Sequence, residues 1–557
     1  MSVSHVFAAI FVVAVVLLGG RWLSNTANAH MRDRENKPGN VAVPNKATKI
    51  GGNQAHREYV LEIIGLGVTL DKYRQGALWE ALQRGNGFTS IREQNPKKYE
   101  WDHVDKLGVS GGRACDALEN GANFTPMYWG VPSFYAAAPI EDPAQQPSPI
   151  MPMAGLFASA ETTGMAWHLF AVAPWRLDER PDRLLEEVFS FFDAYPDVPY
   201  IVIAADDGMA TRDLGRPINA PALVKDGYYV PEMPDATALF VLARRERVDV
   251  LRPYVWNDPE NDFVQTKLRM MYWDLHGSVP TVEKQTDPTS PIGRLPSAAE
   301  WLSAAAKFAQ RPEVRGTGVM SRLSTLNPLA HHPPRDWKPT PWFPIPWNTD
   351  QLATFDRLPS MGFIHRPTFV KFVDENGKPV TRRDARQAML DAGWQDALMA
   401  LPESQRVHGP TRVIAATGNK TEQILALEGM LSHYAKQGGP EIDTSKPKQF
   451  INTDRRLGNT GAATFFMQMA IGVMGSYREG GVSAAINFRD PHEASIILIT
   501  PPSEEKRKAQ QGDVFSHRVS PAIDPENYKP PYVGPSVQTH AKEHAPQSAA
   551  AKSAVKD

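Results

Sequence analysis

Between Leu184 and Ala204 the chain runs an amphipathic helix directly into a continuous apolar strand, and few folds accommodate that order. Leu184 to Phe192 carry apolar side chains at helical spacing. Asp193-Ala194-Tyr195-Pro196 ends the helix, and Val198-Pro199-Tyr200-Ile201-Val202-Ile203-Ala204 follows as a largely β-branched run. A strand apolar on both faces has to be covered on both, which a parallel sheet flanked by helices provides. The same grammar returns downstream: strand Arg412–Ala416, helix Thr421–Tyr434, helix Thr460–Met474, then strands Ser483–Phe488 and Ala494–Thr500. Upstream, Tyr59 to Gly67 is an apolar run ending in glycine, and Gly76 to Arg84 has helical spacing through Leu78, Trp79 and Leu82. The stretch from Pro132 to Pro152 is proline-rich and reads as a surface loop.

At 557 residues the chain exceeds the ~250–300 at which one core stops growing, so two domains or one large layered fold are expected. A net charge of -2 gives no reason to expect nucleic acid or an anionic surface as partner. The single cysteine, Cys115, excludes an intrachain disulfide and a cysteine-rich zinc site. Val6 to Gly20 is uncharged and mostly apolar, a length between a signal-peptide core and a spanning helix. No Lys or Arg precedes it, whereas Arg21, Arg32, Arg34 and Lys37 follow, which predicts an inner-membrane anchor with the body in the cytoplasm. Ala27-Asn28-Ala29 offers the alternative of signal cleavage and a periplasmic body. The expected layout is a membrane or signal segment at 1–29, a polar tether at 30–56, an N-terminal half at 57–327, a Pro/Trp-rich connection at 328–348, a C-terminal half at 349–502 and a disordered tail at 503–557.

Four collinear stretches resemble the β-ketoacyl synthases. They are Tyr59 to Leu70 with Leu78-Trp79-Glu80-Ala81-Leu82; Val413-Ile-Ala-Ala-Thr-Gly-Asn-Lys-Thr-Glu; Asn452-Thr-Asp-Arg-Arg-Leu-Gly-Asn-Thr-Gly-Ala-Ala; and Ala485-Ile-Asn-Phe with Glu493-Ala-Ser-Ile-Ile-Leu. The resemblance implies an α/β thiolase-like fold of two pseudo-equivalent halves, with the N-terminal hydrophobic helix ahead of it. It also exposes what has changed. Condensing enzymes use a thiolate at a helix N-terminus and two histidines. Here the histidine positions read Thr417 and Asn459, neither of which exchanges a proton near neutral pH. The closing glycine-rich loop reads Arg489-Asp490-Pro491-His492, and no cysteine lies in Trp167-His168-Leu169-Phe170 before the Leu184 helix. Cys115 is too far upstream to serve. The resemblance therefore implies a pseudoenzyme with no catalytic, cofactor-binding or metal-binding residues and no cofactor.

A closer resemblance is to the type VI secretion lipase-adapter family. It is carried by Gly65-Leu-Gly-Val-Thr-Leu-Asp-Lys-Tyr-Arg-Gln-Gly, by Trp167-His168-Leu169-Phe170, by Glu179-Arg180-Pro181-Asp182-Arg183-Leu184-Leu185 and by Asp197-Val-Pro-Tyr-Ile-Val-Ile-Ala-Ala-Asp-Asp-Gly. It implies a non-catalytic adapter whose partners are a phospholipase effector and the secretion spike. A homodimer is conceivable from the thiolase-like scaffold. Two other classes stay open: an acyl-thioester-handling enzyme with a non-standard nucleophile, and a periplasmic immunity protein for a lipase toxin.

Other constellations each carry an ordinary reading. No Gly-x-Ser-x-Gly elbow or P-loop occurs, and Gly475-Ser476 reads as a helix C-cap. Asp206-Asp207 at a strand end suits a cation or, more commonly, the capping of the next element. Adjacent His331 and His332 in an extended segment point apart and make a poor chelate. Trp337, Trp342 and Trp347, set among prolines, fit either a protein-binding surface or packing between the halves.

Overall fold

The first half of the chain contributes β1 (Val60–Leu70), α1 (Gly76–Gln83), α2 (His103–Ala122), β2 (Pro132–Ala137), β3 (Ala171–Arg176), α3 (Pro181–Ala194), β4 (Tyr200–Asp207) and β5 (Ala236–Ala243). The second contributes β6 (Gly362–His365), β7 (Thr368–Lys371), α4 (Arg383–Leu398), β8 (Pro410–Ala416), α5 (Thr421–Lys436), β9 (Phe450–Asn452), α6 (Thr464–Glu479), β10 (Val482–Asn487), β11 (Glu493–Thr500) and α7 (Glu504–Ala509). These come from a computed structural model that describes residues 59–517 except 123–124, 127–130, 139–170, 177–179, 217–219, 258–270, 272–297, 316–332 and 341.

The strands form one path in the order β9-β8-β10-β11-β6-β1-β5-β4-β2-β3. Setting aside β7, which pairs off the path on β11, each half read outward from the centre follows the same plan: first strand, fifth, fourth, second, third. Directions agree as well. The outer three strands of each half run parallel, and the fifth is antiparallel to both its neighbours. The first strands of the two halves meet antiparallel at the middle, Val60 opposite His365 and Ile63 opposite Gly362. The pseudo-equivalent halves expected of the α/β fold are thus present as topology.

Helix α6 shows why the halves cannot be treated separately. Every residue from Thr464 to Ser476 is buried, the mark of a helix with no solvent face. It packs on β8, β10 and β11 of its own half and on β5, β1 and α3 of the other. The one amide inside it, Gln468, donates to the carbonyls of Ile414 (3.0 Å) and Ile486 (2.7 Å) on the neighbouring strands β8 and β10.

Several expectations need correction. The first apolar run does not end at Gly67; β1 passes through both Gly65 and Gly67 to Leu70. A methyl group at Gly67 would lie 1.6 Å from the Ala117 carbonyl oxygen, and one at Gly65 would lie 2.3 Å from that of Gly121, because α2 rests directly on the strand backbone. Pro132 to Ala137 is a buried strand rather than surface loop, with proline at its first position, where the ladder tolerates it. Gly475 and Ser476 lie inside α6, whose C-cap is Gly480 at φ 75°. Ser476 donates to Ser483 Oγ (2.8 Å) and the Ile499 carbonyl (3.2 Å).

Trp342 and Trp347 are buried, and the packing reading holds for them. Trp342 meets Phe191 and Tyr195 at the end of α3, and Trp347 meets Phe355. The start of the expected tail is ordered: α7 forms, Phe515 is buried, and its carbonyl receives the Gly76 N–H at 3.1 Å. The Val6–Gly20 segment, Trp167 to Phe170, and His331 and His332 lie outside the described residues. Among the described residues, no helix is long and apolar enough to cross a membrane.

Candidate functional site

The positions read from sequence as those of a condensing enzyme's histidines, Thr417 and Asn459, converge on the turn between β10 and β11. Strand β8 delivers Thr417, which is fully buried, and the chain then turns through Gly418 and Asn419 at positive φ (62° and 56°) into α5. The backbone N–H groups of Thr417 and Gly418 both point at one oxygen, Asp454 Oδ2, at 2.6 and 2.7 Å. Asp454 sits on the short helix Thr453–Arg456, capped by the Asn452 side chain. Its other oxygen is 3.4 Å from Arg489 Nε.

Arg489 is the hub. Its guanidinium donates to Asn459 Oδ1 (2.5 Å) and Thr464 Oγ1 (2.8 Å) while facing Asp454. Thr417 and Asn459, read from sequence as the replaced histidines, are therefore joined through Asp454 and Arg489. Thr417 Oγ1 receives the Asn452 amide at 3.3 Å. A hydroxyl and an amide held this way donate and accept hydrogen bonds but do not titrate near neutral pH.

The next residue, Asp490, reaches the opposite half. Arg180 stands as the N-cap residue of α3; the stretch Trp167 to Phe170, where a nucleophile was sought, lies outside the described residues. Arg180 donates to Asp490 Oδ2 (2.7 Å), Glu493 Oε2 (2.6 Å) and Asp182 Oδ2 (2.8 Å). Burial works against its charge, and the Asp182 and Glu493 carboxylates overcome this and hold its pKa above the ordinary value. Arg183 also pairs with Glu493. Arg489 and Asp490, in the turn read from sequence as a lost glycine-rich loop, tie that turn to both halves.

Asp206 and Asp207 end β4. Asp207 is fully buried, pairs with Arg212 through both oxygens at 2.8 Å, and accepts the Ala462 N–H at 2.8 Å from the loop that follows Asn459. It also accepts the Gly208 N–H (2.8 Å), but the helix Met209–Gly215 that follows has Gly208 as its N-cap and no side-chain cap, so Asp207 is held by Arg212 and the Ala462 N–H rather than by capping. Asp206 accepts from Thr237 (2.6 Å) and Thr211 (3.0 Å); burial pushes its pKa up to about 6 against those two hydrogen bonds. Cys115 is buried in α2.

Sequence reading missed Asp454 and Arg180, and treated Arg489 only as a lost glycine. The available signal was the charge pair Arg489-Asp490 in a loop expected to be glycine-rich. It also missed Asp102, His103 and Asp226, whose ligand atoms lie within 4.8 Å of one another, the one such cluster among the described residues. Asp102 and Asp226 already accept the Val104 and His103 N–H groups (both 2.8 Å) at the start of α2, and the positive end of a helix opposes a dication.

Comparison with known proteins gives two matches that together span more than half the chain. The N-terminal region of the type VI lipase adapter protein Tla3 matches residues 59–226, and its C-terminal region matches residues 361–501. Among solved structures, the chain is similar to the ketosynthase from module 1 of the bacillaene synthase of Bacillus amyloliquefaciens FZB42 (10% identity, 80% of this chain and 77% of that one, TM-score 0.38). It is also similar to the ishigamide ketosynthase/chain length factor (9% identity, 80% and 100%, TM-score 0.39). A third is 3-oxoacyl-(acyl carrier protein) synthase III of Pseudomonas aeruginosa PAO1 (11% identity, 80% and 99%, TM-score 0.30).

Proposed function

This chain belongs to the type VI lipase adapter family, and from that premise we propose that it is a non-catalytic adapter that binds a phospholipase effector and helps load it onto the secretion spike. The observation that carries the non-catalytic part is the Arg489 hub. Thr417 and Asn459 are held in one hydrogen-bond and ion-pair network, with Asp454 already filling the backbone N–H cradle at Thr417 and Gly418, and the neighbouring Asp490 is committed to Arg180 at the start of α3. A scaffold that spends these positions on fixed charges has been turned from chemistry to shape. In this reading Val6–Gly20 anchors the chain in the inner membrane with the body facing the cytoplasm, and any homodimer forms through the body.

The test is reconstitution with the purified lipase of the same secretion cluster and its spike protein. The adapter reading expects a stable complex with the lipase, lipase activity unchanged within about twofold, and recruitment to the spike that depends on this chain. Inhibition of the lipase would instead mark an immunity protein. Covalent labelling of the chain by an acyl thioester would mark a surviving enzyme.

A further inference from the structure

Eight large hydrophobic side chains are exposed among the described residues, and three of them, Val104, Leu223 and Tyr228, come from segments that meet in one place. Gly227 N–H donates to the Trp101 carbonyl, and His103 N–H donates to Asp226 Oδ1 at 2.8 Å, so the 223–228 loop lies across the start of α2.

What fixes the loop is Lys106. Its ammonium donates to the carbonyls of Trp101 (3.1 Å), Lys225 (2.5 Å) and Gly227 (2.7 Å) and sits 4.3 Å from the centre of the Tyr229 ring. Lys106 is 8% exposed, so a full charge is buried to hold the shape of a surface loop. The loop thus presents a tyrosine at 53% exposure and a leucine at 39% in a fixed arrangement. Exposed aromatic and aliphatic groups that are already ordered lose little entropy on docking, and tyrosine is a favoured anchor at interfaces. The rim is acidic: exposed Asp226 and half-buried Asp102 and Asp105 stand around it against the ammonium of Lys225 and the imidazole of His103, which lies 2.9 Å from Asp226, while Lys106 is spent internally.

We infer that the Val104–Leu223–Tyr228 surface receives the lipase effector, through a face of that protein with an apolar centre and a Lys/Arg rim. This rests on the adapter reading and names the surface it would use. An acidic rim selects such a partner by steering encounter and by repelling acidic faces.

Titration calorimetry of the full chain with the purified lipase decides the matter, using Leu223→Asp and Tyr228→Asp as test variants and Val407→Asp, at another exposed position, as control. The expected result is a loss of at least about tenfold in affinity for each test variant, about twofold or less for the control, and weaker wild-type binding as salt rises. Test variants that bind within about twofold of wild type overturn the surface and leave the adapter reading standing. Wild type that binds no lipase overturns the adapter reading itself, and the inference with it. Circular dichroism confirms folding, and Leu223→Ser with Tyr228→Ser replaces any variant that fails it. Light scattering that shows a wild-type dimer broken by Tyr228→Asp assigns the surface to a second copy, against the inference.

Discussion

Asp206 and Asp207 stand side by side at the end of one strand, yet only one has a cation. Asp207 has Arg212; Asp206 has two threonine hydroxyls, and its pKa is raised to about 6 from an ordinary 3.8. A carboxyl raised in the folded state binds a proton more tightly there than in the unfolded chain. Its contribution is therefore complete below about pH 4 and is lost as pH rises through about 6. Asp206→Asn should raise stability at pH 7.5 by roughly 1–2 kcal/mol, since an amide can still accept from Thr237 and donate to Thr211. The gain should shrink toward zero by about pH 4, measured as denaturation midpoints across pH. A gain that stays constant with pH would assign the effect to packing. None of this was legible locally. The sequence shows two adjacent aspartates, but their meaning depends on Thr237 and on Ala462, which is 255 positions away from Asp207.

Elements fared better than residues because their signals are periodic and local. The helices at Leu184, Thr421 and Thr460 and the strands at Tyr200, Arg412, Ser483 and Ala494 all form, with boundaries moved by a few residues. The errors share a cause: proline and glycine were read as punctuation. Pro132 opens a buried strand, and Gly65 and Gly67 lie inside one, where they admit a helix rather than end the run. Contact with α2 therefore predicts opposite outcomes for two glycines. Gly67→Ala drives a methyl into the Ala117 carbonyl and should cost about 3 kcal/mol or more. Gly111→Ala, on α2 itself with nothing within 4 Å, should stabilise by about 0.5–1 kcal/mol through helix propensity. Urea midpoints for the two variants check both, and a neutral Gly67→Ala would contradict the helix-on-strand contact.

The whole molecule repeats one plan twice and then binds the copies through charge. Arg180 crosses from α3 to Asp490 and Glu493, and Arg366 crosses from the second half to Glu186 and Asp193. Arg180→Ala leaves Glu493, only 4% exposed, with Arg183 alone, and should lower stability by about 2 kcal/mol or more. Pairing it with Glu493→Gln should recover part of that loss, so the double-mutant cycle reads the coupling across the halves. Calorimetry should show one unfolding transition in the wild type, because α6 belongs to both halves at once. The placement of the first strands carries a last consequence. β1 and β6 are each the inner margin of their own half, and each finishes the other's ladder. A gene cut between the halves would leave both fragments with a raw, apolar sheet margin, Leu61, Ile63 and Ile364 among its residues, open to any passing strand. The half is the unit of pattern here, but only the pair is a unit of solubility.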